Sequence, residues 1–346
     1  MNGKGAGSTR LRWIMTNGLK RILSIDGGGI KGVLPAAFLA HVETTTGKKI
    51  ADHFDLISGT STGGIIALGL GLGLSANDIL DMYRHKGPDI FYQEGEAASW
   101  WRKAVTIATG YLRKTKRVVM PMYNPDRLRD ALVAVFQEQT LGESRARLVI
   151  PAYHSAHREV YVFKTAHHPR FQTDHRERAV DVALATAAAP TYFPSHRLPN
   201  GCDLIDGGIW ANNPVGPSVV EAIGVLGWNA EDIRVLSLGC TEDTFTVPSK
   251  AGGKDLLFAT ADLFLQGQSK ASMGTAKILL RHTVNNPKIF RYSHVVAEGR
   301  FDVDKIKMID ELRGIGFGLA RDALPTLNEV FLTRPAESFQ PHHSSL

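Results

Sequence analysis

Three short stretches of this sequence carry groups that together could cleave an ester. Gly59-Thr60-Ser61-Thr62-Gly63 presents a hydroxyl between two glycines, and Asp206-Gly207-Gly208 presents a carboxylate at the start of a glycine turn. The run Gly27-Gly28-Gly29-Ile30-Lys31-Gly32 can expose several backbone N–H groups. Ester cleavage needs an activated hydroxyl, a proton acceptor and donors for the developing oxyanion, and the three stretches supply one of each. Taken singly, each residue also has a structural interpretation: Ser61 fits a structural Gly/Ser turn, and Asp206 fits an ordinary β-turn.

The residues around Ser61 predict a tight turn between a strand and a helix. Phe54–Ser58 is a short apolar run typical of a buried strand, and Ile65–Leu70 is typical of a buried helix. Glycine on both sides of the serine allows a strained backbone and a close approach to neighbouring elements. We therefore expect the Ser61 hydroxyl to project from the end of a sheet, with Gly59 and Gly63 as supporting residues.

The glycine run follows the predicted strand Arg21–Ile25 and precedes a segment with apolar residues at helical spacing. Successive N–H groups at a helix N-terminus favour an anion or an oxyanion. The glycines also match a dinucleotide-binding turn, which is the alternative interpretation. That alternative requires an acidic residue at the end of the second strand, where this sequence has Ser58-Gly59-Thr60-Ser61.

Strand and helix patterns alternate along the rest of the chain, with no repeat and no interdomain linker. This alternation predicts an α/β fold, a three-layer α/β/α sandwich around a mainly parallel central sheet. A strand is expected just before Asp206, and the other predicted strands are Arg147–Ala152, Val160–Lys164 and Ile233–Leu238. The predicted helices are Pro125–Phe136, Asp255–Leu280 and Lys305–Ala320.

The composition predicts a globular protein without a disulfide framework. The chain has 346 residues, of which 43% are hydrophobic, and a formal net charge of +6. Its two cysteines, Cys202 and Cys240, have no Cys or His partner at metal-ligand spacing, so we expect a reducing compartment and no metal. No apolar run approaches the 18 or so residues of a membrane span, and the first 20 residues lack the pattern of a signal peptide.

The predicted domain organisation is one large domain with loose ends. Residues 1–18 are expected to form a flexible tail, 19–335 the domain, and 336–346 a flexible C-terminal tail. Within the domain, residues 88–120 combine Trp100 and Trp101 with uncompensated Lys and Arg residues. That mixture suits a lid or a lipid headgroup contact, and it also suits an insertion packed over the sheet edge.

The three stretches, in this order, resemble the patatin-like phospholipase family. The resemblance covers about residues 21–220 and includes Ala188-Ala189-Pro190-Thr191-Tyr192-Phe193-Pro194. It implies that Ser61 is the nucleophile, that Asp206 is its partner in a Ser–Asp dyad, and that Gly27, Gly28 and Gly29 form the oxyanion hole. Gly207 and Gly208 would support the aspartate. The family commonly has arginine where this chain has Lys31, which keeps the charge but loses the planar fork.

A narrower resemblance links the chain to the patatin-like effectors of bacterial cyclic-oligonucleotide anti-phage systems. It rests on the compact glycine run, the motif before Asp206 and the sequence Ala211-Asn212-Asn213-Pro214. It implies a phospholipid substrate, no cofactor, a cyclic di- or trinucleotide activator, and no DNA or RNA polymer as partner. It also implies a cytoplasmic protein with peripheral contact at the inner membrane, and a homo-oligomer is left open. Activator binding and lid control would then fall in residues 88–120 and 240–330.

Three alternatives stay open at this level. A histidine could complete an ordinary triad after Asp206, the candidates being His282, His294, His342 and His343, although none follows a strand and glycine turn. The same fold could bind a nucleotide or a lipid without turnover. The third alternative is a dinucleotide-binding oxidoreductase.

Overall fold

The computed structural model describes residues 18–90, 123–244, 254–297 and 308–344. In these ranges eight strands form a single sheet. The strands are β1 (Lys20–Ile25), β2 (Leu56–Gly59), β3 (Arg147–His154), β4 (Glu159–Lys164), β5 (His196–Arg197), β6 (Asp203–Asp206), β7 (Ile233–Thr244) and β8 (Ile289–Ala297). The helices of the described residues are α1 (Val33–Thr46), α2 (Thr62–Gly71), α3 (Ala76–Ile90), α4 (Pro125–Phe136), α5 (Ala179–Thr186), α6 (Gly208–Ala211), α7 (Val215–Gly224), α8 (Lys254–Leu279) and α9 (Ile309–Val330).

The sheet is parallel in its central part and antiparallel at one side. Its strand order is β5-β6-β3-β2-β1-β7-β8, and β4 pairs with β3 in addition. The pairs β1–β2, β1–β7, β2–β3 and β7–β8 are parallel. The pairs β3–β4, β3–β6 and β5–β6 are antiparallel. The prediction of a mainly parallel sheet is therefore confirmed, with an antiparallel side that the alternating pattern did not indicate.

Helices cover both faces of the sheet and make three layers. Successive residues of β1 point to opposite faces, so Ile22 belongs to one core and Leu23 to the other. The larger core packs α1, α2, α5 and α9 against one face, and α1 and α9 make the most extensive helix–helix contact among the described residues. The smaller core packs α7 and the end of α8 against the other face. The predicted α/β/α sandwich is thus confirmed.

Several boundaries differ from the sequence-based prediction. The helix α9 runs from Ile309 to Val330, ten residues beyond the predicted end, and contains Pro325. The strand β8 and the helix α3 were not predicted. The predicted N-terminal tail and most of the 88–120 insertion lie outside the described residues.

Several residues of the segment 336–344, which was expected to belong to a flexible tail, contact the domain. Glu337 accepts a 2.7 Å hydrogen bond from Lys20. Phe339 is only 8% exposed and lies under the Arg147 guanidinium. The His342 N–H donates to a backbone carbonyl 2.7 Å away.

Candidate active site

The sheet brings the serine and aspartate stretches together because β2 and β6 share one edge of β3. Val149 of β3 pairs with Ser58 of β2, and Ala152 of β3 pairs with Asp206 of β6. The opposite edge of β3 is occupied by β4, which pairs with both Val149 and Ala152. Since β2 runs parallel to β3 and β6 runs antiparallel to it, the carboxyl ends of β2 and β6 point towards each other. The residues that leave these two strands must therefore meet.

Ser61 occupies the turn between β2 and α2 in a strained backbone conformation. Its φ is 55° and its ψ is −123°, a combination that side-chain-bearing residues rarely adopt. A Cβ on Gly59 would lie 2.0 Å from the carbonyl oxygen of Gly63, and a Cβ on Gly63 would lie 2.3 Å from that of Ile25. The turn is therefore too tight for a side chain at either glycine.

The backbone of Ser61 is held by a residue that sequence analysis missed. The Ser61 N–H donates to Thr186 Oγ1 at 3.0 Å, and the Thr186 hydroxyl donates in turn to the carbonyl oxygen of Pro151. Thr186 is fully buried at the end of α5. This bond uses the Ser61 N–H and links the turn to β3. The only sequence signal for it is a polar residue at the end of a run of small apolar residues.

The Asp206 carboxylate lies beside the Ser61 hydroxyl, which acts to lower the pKa of this aspartate. Its Oδ1 accepts a 2.6 Å hydrogen bond from the Gly208 N–H. Asp206 is only 5% exposed, and burial raises its pKa to about 6, although the Ser61 hydroxyl and the Gly208 N–H oppose that shift. A carboxylate with this pKa is mostly ionised at neutral pH and is a stronger base than an exposed aspartate.

The glycines after Asp206 allow its turn to lie directly against β3. A Cβ on Gly207 would be 2.3 Å from the carbonyl oxygen of Pro151, and a Cβ on Gly208 would be 3.0 Å from Asp206 Oδ1. Pro151 therefore contacts both halves of the site, since its carbonyl also accepts the Thr186 hydroxyl. The rigid edge of β3 fixes the separation of Ser61 and Asp206.

The glycine loop differs in one respect from the predicted oxyanion hole. The Gly27 N–H donates to the carbonyl oxygen of Asn212 at 2.9 Å, so it is not available to an oxyanion, which corrects the prediction for Gly27. Within the described residues, the N–H groups of Gly28 and Gly29 donate to no protein acceptor. Gly29 has a φ of 57°, which favours glycine at this position. The role of Gly28 and Gly29 as oxyanion donors stays a prediction.

Lys31 lies in the short 3-10 turn that follows, Gly29–Gly32, and is 9% exposed. Its N–H donates to the carbonyl oxygen of Gly28 at 3.1 Å, which closes the glycine loop. Gly32 packs closely against Thr62, since a Cβ there would lie 2.2 Å from the Thr62 hydroxyl. The loop and the serine turn are thus in direct contact.

Two further residues join the aspartate turn to the glycine loop. Asn212 accepts from Gly27, as described above, and its own N–H donates to Gln268 Oε1 at 3.1 Å. Gln268 Nε2 donates to the carbonyl oxygen of Gly208 at 2.7 Å. The Gln268 amide therefore holds both the Asp206 turn and the residue on which the glycine loop rests. Gln268 lies on α8, far along the sequence, and no local motif singles it out.

No histidine contacts Ser61 or Asp206 in the part of the chain that the structure describes. His282 Nδ1 accepts from the backbone N–H groups of Lys288 and Ile289. His343 Nε2 pairs with a backbone carbonyl of the loop after β4. The described residues therefore provide a Ser–Asp pair and not a triad.

The same ranges contain no cluster of three or more His, Cys, Asp or Glu side chains that could hold a metal ion. No helix in them is both long enough and apolar enough to cross a lipid bilayer.

The fold and the site define an α/β protein with a serine on a strand-to-helix turn, an aspartate partner and a glycine loop. The chain belongs to the patatin-like phospholipase family, whose family model matches residues 23–219. This assignment confirms the resemblance seen in the sequence and argues against the dinucleotide-binding oxidoreductase.

Curated relatives and solved structures extend this comparison. The chain is 38% identical to a cGAMP-activated phospholipase of Pseudomonas aeruginosa over 56% of this chain and 54% of that protein. It is 33% identical to a cGAMP-activated phospholipase of Vibrio cholerae over 68% of each. It thus spans about half to two thirds of the length of these relatives. Among solved structures, VipD from Legionella pneumophila is similar over 89% of this chain and 67% of that chain, with 12% identity and a TM-score of 0.44.

Proposed function

We propose that this chain is a phospholipase A-type serine acyl hydrolase that cleaves fatty-acyl esters of membrane phospholipids. The observation that carries the proposal is the meeting of the Ser61 turn with the buried Asp206 carboxylate, where the carboxyl ends of β2 and β6 point towards each other. The family assignment supports the same substrate class. The protein would be cytoplasmic, and it would reach its substrate by peripheral contact with the inner membrane.

The proposed reaction has two halves. In the first, Asp206 accepts the Ser61 proton while Oγ attacks the ester carbonyl, and the N–H groups of Gly28 and Gly29 donate to the oxyanion. The tetrahedral intermediate then expels the lysophospholipid alcohol, which takes the proton from Asp206. In the second half, Asp206 accepts a proton from water, which attacks the acyl-serine and releases the fatty acid. As the bond between the acyl group and Ser61 Oγ breaks, Asp206 gives this proton to Oγ, so Ser61 is restored and no cofactor is consumed.

The pKa of Asp206 predicts the acid limb of the pH profile. Because the proton acceptor must be ionised, kcat/KM is expected to fall as the pH drops below about 6, the value to which burial raises this pKa. The decline should approach tenfold per pH unit. Initial rates on a soluble ester between pH 4.5 and 8 would measure it. A profile that stays flat down to pH 4.5 would contradict Asp206 as the base.

We also propose that a cyclic di- or trinucleotide activates the enzyme, because the relatives named above are cGAMP-activated phospholipases. The geometry fits a regulated site, since Ser61 is 9% and Asp206 5% exposed. Activation could involve a homo-oligomer, which sedimentation with and without the nucleotide would detect.

The test is mass spectrometry of native lipid extracts incubated with the wild-type protein and with Ser61→Ala, each with and without cGAMP and a panel of other cyclic di- and trinucleotides. We expect free fatty acids and lysophospholipids from the activated wild type alone. Nucleotide or lipid binding without any product would instead support the non-catalytic binding module. Calorimetry with the same panel tests activation separately, and the absence of both heat and any rate change would refute it.

A further inference from the structure

The residue at the base of the glycine loop is a buried carboxylate that the proposed reaction does not use. Asp26 follows directly on β1 and precedes Gly27, and it is 5% exposed. Burial raises its pKa, although a neighbouring guanidinium opposes that shift. An unpaired buried carboxylate is costly, so the group that pairs with Asp26 determines whether it can stay ionised there.

That partner is Arg291, which comes from β8 at the far edge of the sheet. Its Nη1 donates to Asp26 Oδ1 at 2.9 Å and its Nη2 to Asp26 Oδ2 at 2.7 Å, which is the bidentate geometry of a strong ion pair. Nη1 also donates to Ser237 Oγ at 3.0 Å, and Nη2 to Glu242 Oε1 at 3.0 Å. Four hydrogen bonds therefore fix the orientation of this guanidinium plane.

The strand between Arg291 and Asp26 is built to let the guanidinium pass. In the order β1-β7-β8, the Arg291 side chain must cross β7 to reach the end of β1. It crosses at Gly239, where a Cβ would lie 2.5 Å from Nη2. The register of β7 against β8 shifts at the same place, between Leu238 and Thr241. A bulge with a glycine opens the space that a regular strand would fill.

The position of Asp26 connects this ion pair to the oxyanion donors. Its N–H donates to the carbonyl oxygen of Leu238 at 2.9 Å, and the next N–H, that of Gly27, is held by Asn212. After these two fixed peptide groups come the N–H groups of Gly28 and Gly29, which no described protein group holds. Their direction therefore depends on how firmly Asp26 and Gly27 are held.

We propose that Arg291 is a positioning residue that fixes Asp26, and through Asp26 directs the Gly28 and Gly29 N–H groups at the ester bound to Ser61. This inference rests on the proposed acyl hydrolase function, and it goes beyond it in placing a determinant of catalysis in β8. Arg291 lies outside residues 23–219, to which the family model extends.

The test compares Arg291→Met with the control Arg281→Met. The Arg281 side chain is 81% exposed, and its ion pair with Glu231 is a long one, 3.9 Å from Nη1 to Oε1. On a soluble ester with cGAMP present, Arg291→Met should lower kcat about a hundredfold, the usual effect of losing an oxyanion donor, and change KM less than threefold. Backbone amide exchange in residues 26–32 should become faster. Arg281→Met should alter neither. A folded Arg291→Met with kcat within twofold of wild type would overturn the proposal.

A double-mutant cycle with Asp26→Asn covers the case in which Arg291→Met fails to fold. The variant Asp26→Asn/Arg291→Met removes both charges, so it leaves no unpaired buried ion. We expect its kcat to be close to that of the more impaired single variant, because both substitutions act through the same contact. A double variant with wild-type kcat, or one whose losses multiply, would contradict the proposal. If the wild type hydrolyses no ester, the proposed function fails, whereas the amide exchange still tests the positioning by Arg291.

Discussion

Ser61→Ala is expected to lower ester hydrolysis by about 10⁴-fold or more, since removing a serine nucleophile costs this much in comparable hydrolases. The alanine keeps the backbone of the turn, and the N–H bond to Thr186 is independent of the side chain. Asp206 then has no hydroxyl from which to accept a proton. Initial rates on a soluble ester and on phospholipid vesicles, both with cGAMP, would measure the loss.

The matched control for this variant is Ser155→Ala. Ser155 lies in the turn between β3 and β4, where its hydroxyl donates to the carbonyl oxygen of Asp203 at 3.0 Å. This change removes a serine hydroxyl without touching the site, so activity should stay within twofold. A Ser61→Ala variant that folds and retains more than about a tenth of the wild-type rate would exclude Ser61 as the nucleophile.

Asp206→Asn is expected to lower kcat about 10³- to 10⁴-fold while preserving the shape of the site. The amide oxygen can still accept from the Gly208 N–H, but an amide does not accept the Ser61 proton. Asp203→Asn is the control, because Asp203 begins the same strand and forms an ion pair with Arg197 on the surface. Activity in Asp206→Asn equal to that of Asp203→Asn would contradict the dyad.

The same substitution should stabilise the protein at high pH. The folded-state pKa of Asp206 is about 6, above its ordinary value of 3.8, so the folded state favours the neutral acid. The stability that this gives is fully present below pH 3.8 and is lost as the pH rises through about 6. Thermal unfolding should therefore show Asp206→Asn to be more stable than the wild type at pH 8, by about 3 kcal/mol, and the difference in the free energy of unfolding should shrink towards pH 4. An equal difference at both pH values would contradict the raised pKa.

The sequence predicted the serine turn well because its determinants are local. Strand, glycine, serine, glycine and helix follow one another within Phe54–Leu70, and steric contacts among neighbours decide the geometry. The same is true of the aspartate turn. The meeting of the two could be expected only by family resemblance, because it depends on β6 running antiparallel along the edge of β3 that β2 also occupies. Nothing in the local pattern of Asp203–Asp206 encodes that pairing.

The groups that hold the glycine loop were beyond prediction for a similar reason. Gln268 and Arg291 lie more than 200 residues after the loop, and neither belongs to a motif. Gly27 illustrates the consequence, because its place in the glycine run makes it as good a candidate oxyanion donor as Gly28 and Gly29. Only the approach of Asn212 reveals that the Gly27 N–H is already used. In each case the group that holds the loop comes from a residue far away in the sequence, so no local pattern reveals it.

The most direct test of the account is covalent labelling with a fluorophosphonate, which reacts with activated serines. The protein is incubated with the reagent in the presence of cGAMP, digested, and mapped by peptide mass spectrometry. We expect one adduct per chain on Ser61, formed much more slowly in Asp206→Asn and absent in Ser61→Ala. An adduct on a different serine, or labelling of Ser61 at the same rate in Asp206→Asn, would contradict the Ser61–Asp206 dyad.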